Sequence, residues 1–284
     1  MRILYFSDAH LEILESQTRF SWTDAYPLDL GPEPGELVGT ADLCILAGDI
    51  ATARDRRGVD AVGYSAQLAA ELRCPVILVP GNHEYYGGRF DEDRKTMLSS
   101  NAPGVTVLDR GEKRLAIEGR TLRVLGATLW TDYALAGDAV LGALAAKRGL
   151  NDHRMIKIRT NETWSPDDAL AEHQASAKWL LDKLAEPVPD DVDTLVVTHH
   201  VPHSAARHPG YPVDHFSASF YSDRNDLVEA AEKAKAIAWI CGHHHWTLDV
   251  EIGGLRLLSA QPGYPGERTG WAGIGILDVP PKKS

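Results

Sequence analysis

The chain has 284 residues, a length that suits one large α/β domain. Its 44% hydrophobic and 24% charged content is ordinary globular usage, which excludes a disordered, collagen-like or disulfide-scaffold chain. Lys plus Arg number 29 against 40 Asp plus Glu, a net charge of −11. That balance argues against a protein that grips nucleic acid through its phosphates, although bound metal can still invert the local field for a small phosphate-bearing substrate.

No stretch approaches the roughly 20 apolar residues that cross a bilayer, so no membrane partner is expected. The opening MRILYFSDAH meets acid and histidine too soon for a secretory leader. Cys44, Cys74 and Cys241 are widely spaced, without a CxxC pair, and adjoin apolar runs. They read as buried free thiols, and a cytoplasmic location is expected.

In chain order, β-branched apolar runs fall at 3–6, 43–47, 76–79, 194–198 and 237–241. Runs of this length without alternation predict strands buried on both faces. Residues 60–73 carry Val62, Ala66, Ala69 and Leu72 at helical spacing, and Pro75 ends the pattern. Residues 104–129 predict an antiparallel meander with a turn at Glu118-Gly119-Arg120. Residues 133–163 predict an insertion or cap, Ala-rich and helical to about Leu150 and then polar. Ser165 predicts an N-cap, with Pro166, Asp167 and Asp168 in the first turn and Leu170, Ala177, Leu181 and Leu184 on one face. The tail shows a Gly253-Gly254 hairpin signal. Strands alternating with helices predict an α/β fold with mixed sheets, read as one domain over 1–284 carrying the insertion.

The chemistry collects where the strands end. The five runs deliver Asp8 and His10, then Asp49, then Asn82 and His83, then His199 and His200, then His243 and His245. In α/β sheets, ligands gather outside the carboxyl ends of strands. Carboxylate, amide and imidazole donors without thiolate suit a divalent ion of intermediate hardness. Extended strand exits would turn Asp8 and His10 to one side, and likewise His243 and His245, with His244 pointing away. Gly48, Gly81 and Gly242 adjoin the donors and admit close backbone approach. Seven donors, counting one of His199 and His200, exceed what one catalytic ion uses and suit two ions sharing a carboxylate. The choice between His199 and His200 stays open on spacing alone.

Asp8-x-His10, Gly48-Asp49, Gly81-Asn82-His83-Glu84, His199 and Gly242-His243-x-His245, in this order, resemble the full motif set of the calcineurin-like metallophosphoesterase superfamily. The resemblance implies a four-layer α/β/β/α sandwich with two mixed β-sheets flanked by helices. It implies one ion on Asp8, His10, Asp49 and His245, and another on Asp49, Asn82, His199 and His243. It places His83 beside the substrate phosphate as charge stabiliser and general acid, and it favours His199 as the ligand. The ions expected are two divalent metals, manganese first, with iron and zinc as alternatives.

The function expected is hydrolysis of a small phosphodiester or phosphomonoester by a hydroxide held between the two metals. A pyrophosphate-bond hydrolase is the alternative, and a non-catalytic scaffold would have lost ligands that stand here. Singly, Asp8 reads as a cap, Asp49 as a turn residue and His83 as a loop residue; their joint occurrence reverses those readings. Glu84 is expected to support His83 or nearby backbone rather than to bind metal. Tyr85, Tyr86 and Trp130 are candidates for substrate contact or for packing. Lys147, Arg148, Arg154, Lys157 and Arg159 read as a solvated face. Substrate identity and oligomeric state leave no trace in the sequence.

Overall fold

The computed structural model describes residues 1–13, 37–54 and 60–281. Its apolar runs form strands at the expected places: β1 (Arg2–Phe6), β2 (Leu43–Leu46), β3 (Val76–Leu78), β9 (Val192–Thr198) and β10 (Ala238–Ile240). Apart from Arg2, every residue in these five strands is buried, as unalternating apolar sequence requires.

Two large sheets organise the described residues. The first runs β13-β1-β2-β3-β4, with β4 at Val105–Val107 and β13 at Gly275–Asp278. It is parallel except for β13, which pairs antiparallel with β1. The second runs β11-β12-β10-β9-β6-β5, with β5 at Gly111–Ile117, β6 at Arg120–Ala127, β11 at Leu248–Ile252 and β12 at Leu255–Ser259. Its inner strands are parallel, and the outer hairpins β5–β6 and β11–β12 are antiparallel. Both sheets are therefore mixed.

Side-chain alternation defines the layers. Leu122, Val124, Leu195, Val197, Ala238, Ile240 and Leu258 join the first sheet in one apolar core. Their neighbours Leu125, Ala127, Val196, Trp239 and Leu257 turn the other way, into a second core. Period-two alternation with both faces apolar is what a sheet covered on both sides demands. Helix α1 (Ala61–Leu72) contributes Leu68 and Leu72 to the first core. The long helix Pro166–Ala185 and the helix Asn225–Lys233 cover the second sheet. The result is the helix–sheet–sheet–helix order expected.

Three local readings need correction. Residues 104–129 are not one meander: β4 lies parallel to β3 in the first sheet, whereas β5 and β6 form a hairpin in the second. The chain changes sheets at buried Asp109, whose carboxylate accepts from Arg94 Nε (2.6 Å) and from the Thr128 amide (3.1 Å). The helix from Pro166 starts as expected, with a capping box between Ser165 and Asp168, but its buried stripe runs through Ala169, His173, Ala177, Leu180 and Leu184. Leu170 and Leu181 sit at the edge of that stripe. The third concerns strand exits: Asp8, His10, Asp49, His243 and His245 are not extended but have φ between 45° and 73°.

The stretch 133–163 holds a helix at Ala139–Gly149, capped by the Asp138 carboxylate on the Val140 and Leu141 amides (2.9 and 3.0 Å). A short helix, Asp152–Met155, and a two-stranded ribbon, β7 (Lys157–Arg159) with β8 (Glu162–Thr163), follow. Among the described residues, no helix is long and apolar enough to cross a membrane. The three cysteines are free and buried.

Candidate metal centre

The carboxyl ends of both sheets open onto one cavity of about 390 Å³. Strand β1 delivers Asp8 and His10, β2 delivers Asp49, β3 delivers Asn82 and His83, β9 delivers His199, and β10 delivers His243 and His245. Asp8, His10, Asp49, Asn82, His83, His199 and His243 are buried, and His245 lies at the rim of that set. Left-handed backbone at five of these positions folds the β1, β2 and β10 exits sharply, so neighbouring donors there converge although the chain is not extended.

Among the described residues three trios have ligand atoms close enough to share an ion, and two of them consist of the expected donors: Asp8, His10 and His245, and Asp49, His199 and His243. In the first, His10 Nε2 and His245 Nε2 lie 2.9 Å apart, and Asp8 Oδ1 lies 3.5 Å from His245 Nε2. In the second, His199 Nε2 lies 3.2 Å from His243 Nδ1, 3.1 Å from Asn82 Oδ1 and 3.4 Å from Asp49 Oδ1. Asp49 faces both, because its Oδ2 is 4.0 Å from His10 Nε2. Donors bound at about 2.0–2.2 Å around one ion stand roughly 3–3.5 Å from each other, close to these separations.

His199 and His200 diverge. His200 Nδ1 turns to the Thr128 carbonyl (3.2 Å), and its ring packs 5.1 Å from that of Trp130. His244 also leaves the cluster, pairing with the Gly242 carbonyl (2.8 Å) and with Gln261 Nε2 (2.9 Å).

The glycines beside the donors are required by space. A Cβ on Gly48 would lie 2.5 Å from His199 Nδ1, and one on Gly242 would lie 2.6 Å from Asp8 Oδ2. Gly48 also has φ of 89°, where a side chain is strained.

Glu84 does not touch the donors' open side. Its carboxylate accepts from the backbone amides of Gly81 (2.6 Å), Asp49 (2.9 Å) and Ile50 (2.8 Å), tying the β2 exit to the β3 exit. Burial, with Asp49 nearby, pushes its carboxyl up to about 7.

Charge is concentrated at the cluster. Burial would raise Asp49, but His199 and His83 hold it well below the usual carboxylate range. Burial opposes a charged His199, yet Asp49 outweighs it and lifts the imidazole to about 9. His245 rises to about 10 against its own burial, through Asp8 and Glu267. Buried carboxylates that draw protons onto neighbouring imidazoles form an anionic nest that divalent cations neutralise equally well. The donor set therefore fits metal.

Several residues at the site carry no signal in the sequence. Glu12 lies 2.8 Å from His83 Nδ1 and forms a third candidate trio with His10 and His83. Tyr264, on the loop after β12, places its hydroxyl 3.2 Å from His83 Nε2. Asp152 accepts from Asn82 Nδ2 (2.9 Å) and from the Tyr86 hydroxyl (2.6 Å). Glu267 stands against His245 Nδ1 at 2.5 Å. The aromatic candidates separate: Tyr86 lines the cavity and stacks on His83 with centroids 4.1 Å apart, whereas Tyr85 and Trp130 are packed among Phe90 and Trp164.

The chain is 24% identical over 295 residues to an uncharacterised protein of Acanthamoeba polyphaga mimivirus, covering 98% of this chain and 97% of that one. Its fold resembles the crystal structure of a phosphopantetheinyl hydrolase from Mycobacterium tuberculosis, with TM-score 0.67, 19% identity, and coverage of 99% and 97% of the two chains. It also resembles a dimetal phosphatase from Danio rerio, with TM-score 0.50, 15% identity, and coverage of 97% and 91%. A family model described as calcineurin-like phosphoesterase matches residues 1–247, the span that contains all the donor-bearing loops, and the chain belongs to that family.

Proposed function

We propose that the chain is a dimetal phosphoesterase that hydrolyses a small phosphodiester or phosphomonoester. The observation that carries this reading is Asp49, whose two oxygens face two separate donor trios across one cavity floor. Asp8, His10, Asp49 and His245 would hold one ion, and Asp49, Asn82, His199 and His243 the other. Two divalent ions, manganese in the first instance, would supply a water nucleophile at neutral pH and charge neutralisation for the phosphate. The names of two structural neighbours, a phosphopantetheinyl hydrolase and a dimetal phosphatase, support the same bond class.

The remaining steps belong to the chain's own side chains. Glu84 anchors the Asp49 loop through three amides, which fixes both carboxylate oxygens. Asp152 holds Asn82 by its amide nitrogen and so leaves Oδ1 toward His199. Glu12 accepts from His83 Nδ1 and sets the ring plane. Protonated His83 then donates from Nε2 to the phosphate or to the departing oxygen. Tyr264, beside Nε2, keeps that nitrogen hydrogen-bonded before substrate enters.

We read the protein as one domain, with 133–163 as an inserted cap beside the cavity. Three buried free thiols support a reducing, cytoplasmic setting. The test is metal-dependent hydrolysis. After chelation, manganese, zinc, iron(II) or magnesium is restored singly, and bis-p-nitrophenyl phosphate and p-nitrophenyl phosphate are assayed beside Asp49→Ala. Hydrolysis restored in the wild type and missing from the variant is expected. Hydrolysis that survives chelation would overturn the reading.

A further inference from the structure

The cavity has two unlike sides. One is the donor floor; the other is built from the end of the helix Ala139–Gly149 and from the loop at 211–221, through Leu150, Tyr211, Pro212, Phe216 and Phe220. Tyr211 and Phe216 line this side and are 61% and 40% exposed, so ring surface stands open to whatever enters the cavity. Phe220 joins the two sides, its ring stacked 5.0 Å from that of His243. Gly149 packs so closely on Phe216 that a Cβ there would come within 2.9 Å of ring carbon Cδ2. The wall thus has its own seat in the fold. Asp214 and Glu267 also line the cavity and bring negative charge beside the aromatic surface.

We propose that this wall is a subsite for the leaving group, and that it selects phosphoesters whose leaving group is apolar or aromatic and carries no second anionic group. The proposal rests on the phosphoesterase reading of the donor floor. An ester whose phosphorus lies over Asp49, His83 and His243 can extend one substituent past Phe220 onto Tyr211 and Phe216. Apolar area is buried there, and rings can stack on rings. A second phosphate, carboxylate or sulfonate on that substituent would meet the like charges of Asp214 and Glu267 and would give up water to apolar ring surface, and both effects disfavour it.

The test is calorimetric titration of the manganese-loaded protein with naphthylmethylphosphonate, with its ring-sulfonated derivative and with methylphosphonate. None has a bond this chemistry can cut. The naphthyl compound is expected to bind at least about tenfold tighter than methylphosphonate, and ring sulfonation is expected to remove most of that gain. Tyr211→Ser, at the more exposed position, is expected to shrink the naphthyl-to-methyl ratio toward one while the thermal transition stays in place; Phe216→Ser is expected to shrink it too, with a lower transition because its ring packs on Gly149. A wild-type ratio near one, a ratio untouched by both substitutions, or tighter binding of the sulfonated ring would overturn the proposal. Hydrolysis of the nitrophenyl esters by the same preparation separates the two readings. Turnover with a ratio near one removes the wall and keeps the phosphoesterase. An intact ratio without turnover leaves an aromatic-binding wall beside the donor floor but overturns its role as a leaving-group subsite together with the phosphoesterase.

Discussion

The floor and the wall of the cavity are made by different means. Floor residues stand within a few positions of buried strand ends in two sheets, and their rings and carboxylates are held by buried hydrogen bonds. Wall residues sit on a loop and on the end of a helix within the 133–163 stretch, and two of them are substantially exposed. Rigid scaffold carries the shared chemistry of a family, and loops carry the choice of substrate. The floor should therefore fail all at once when cut, whereas the wall should change preference by degrees.

The largest effect expected is from Asp49→Ala, which removes the carboxylate facing both trios. Activity should fall to background, and metal content measured on the purified protein should drop; full turnover would break the account of a shared floor. His83→Ala should slow turnover by about 10²–10⁴-fold, the usual contribution of a positioned proton donor, with metal content retained. Loss of metal from that variant would make His83 part of the floor's binding set instead. Glu84→Gln keeps the shape but turns an amide NH₂ toward amide donors, and should weaken metal affinity by about 10–100-fold in a calorimetric titration. Unchanged affinity would mean that the β2 and β3 exits hold their geometry without it. Smallest is Ser165→Ala, outside the cavity lining, which loses the cap on the Asp168 amide (3.2 Å) and should lower stability by about 1 kcal/mol in denaturant unfolding. Activity per folded molecule should stay the same; if it falls, the helix behind the second sheet is tied to the site.

This division also explains what could be read from sequence. Unalternating apolar runs are a strong signal, and each central strand stands where its run predicts. The candidate donors are legible because each stands within four positions of the end of such a run. Spacing left His199 and His200 equivalent, and what divides them is long-range: the Ala47 carbonyl orients His199 (2.8 Å) and the Thr128 carbonyl holds His200 (3.2 Å). Convergence of Asp8 with His10 was expected for the wrong reason, since local pattern does not report that the backbone turns left-handed. Strand β4 resembles the start of a hairpin, yet pairs with β3 because the buried Asp109 turn sends the following strand to the other sheet. Glu12, Asp152, Tyr264 and Glu267 are single polar residues among many, brought to the site only by the fold.

The left-handed residues have one more consequence. Asp8, His10, Asp49, His243 and His245 hold a conformation that disfavours ordinary side chains, at a cost of order 1–3 kcal/mol each. Glycine would relieve that cost, and against the exchange stand metal binding and the buried bonds these side chains make, such as the His243 amide on Asp8 (2.9 Å). A lineage released from selection on turnover should lose first those of the five whose strain exceeds what their contacts return. Relatives that have become inert should then carry a readable scar: intact strands, with small left-handed residues where the histidines and aspartates stood.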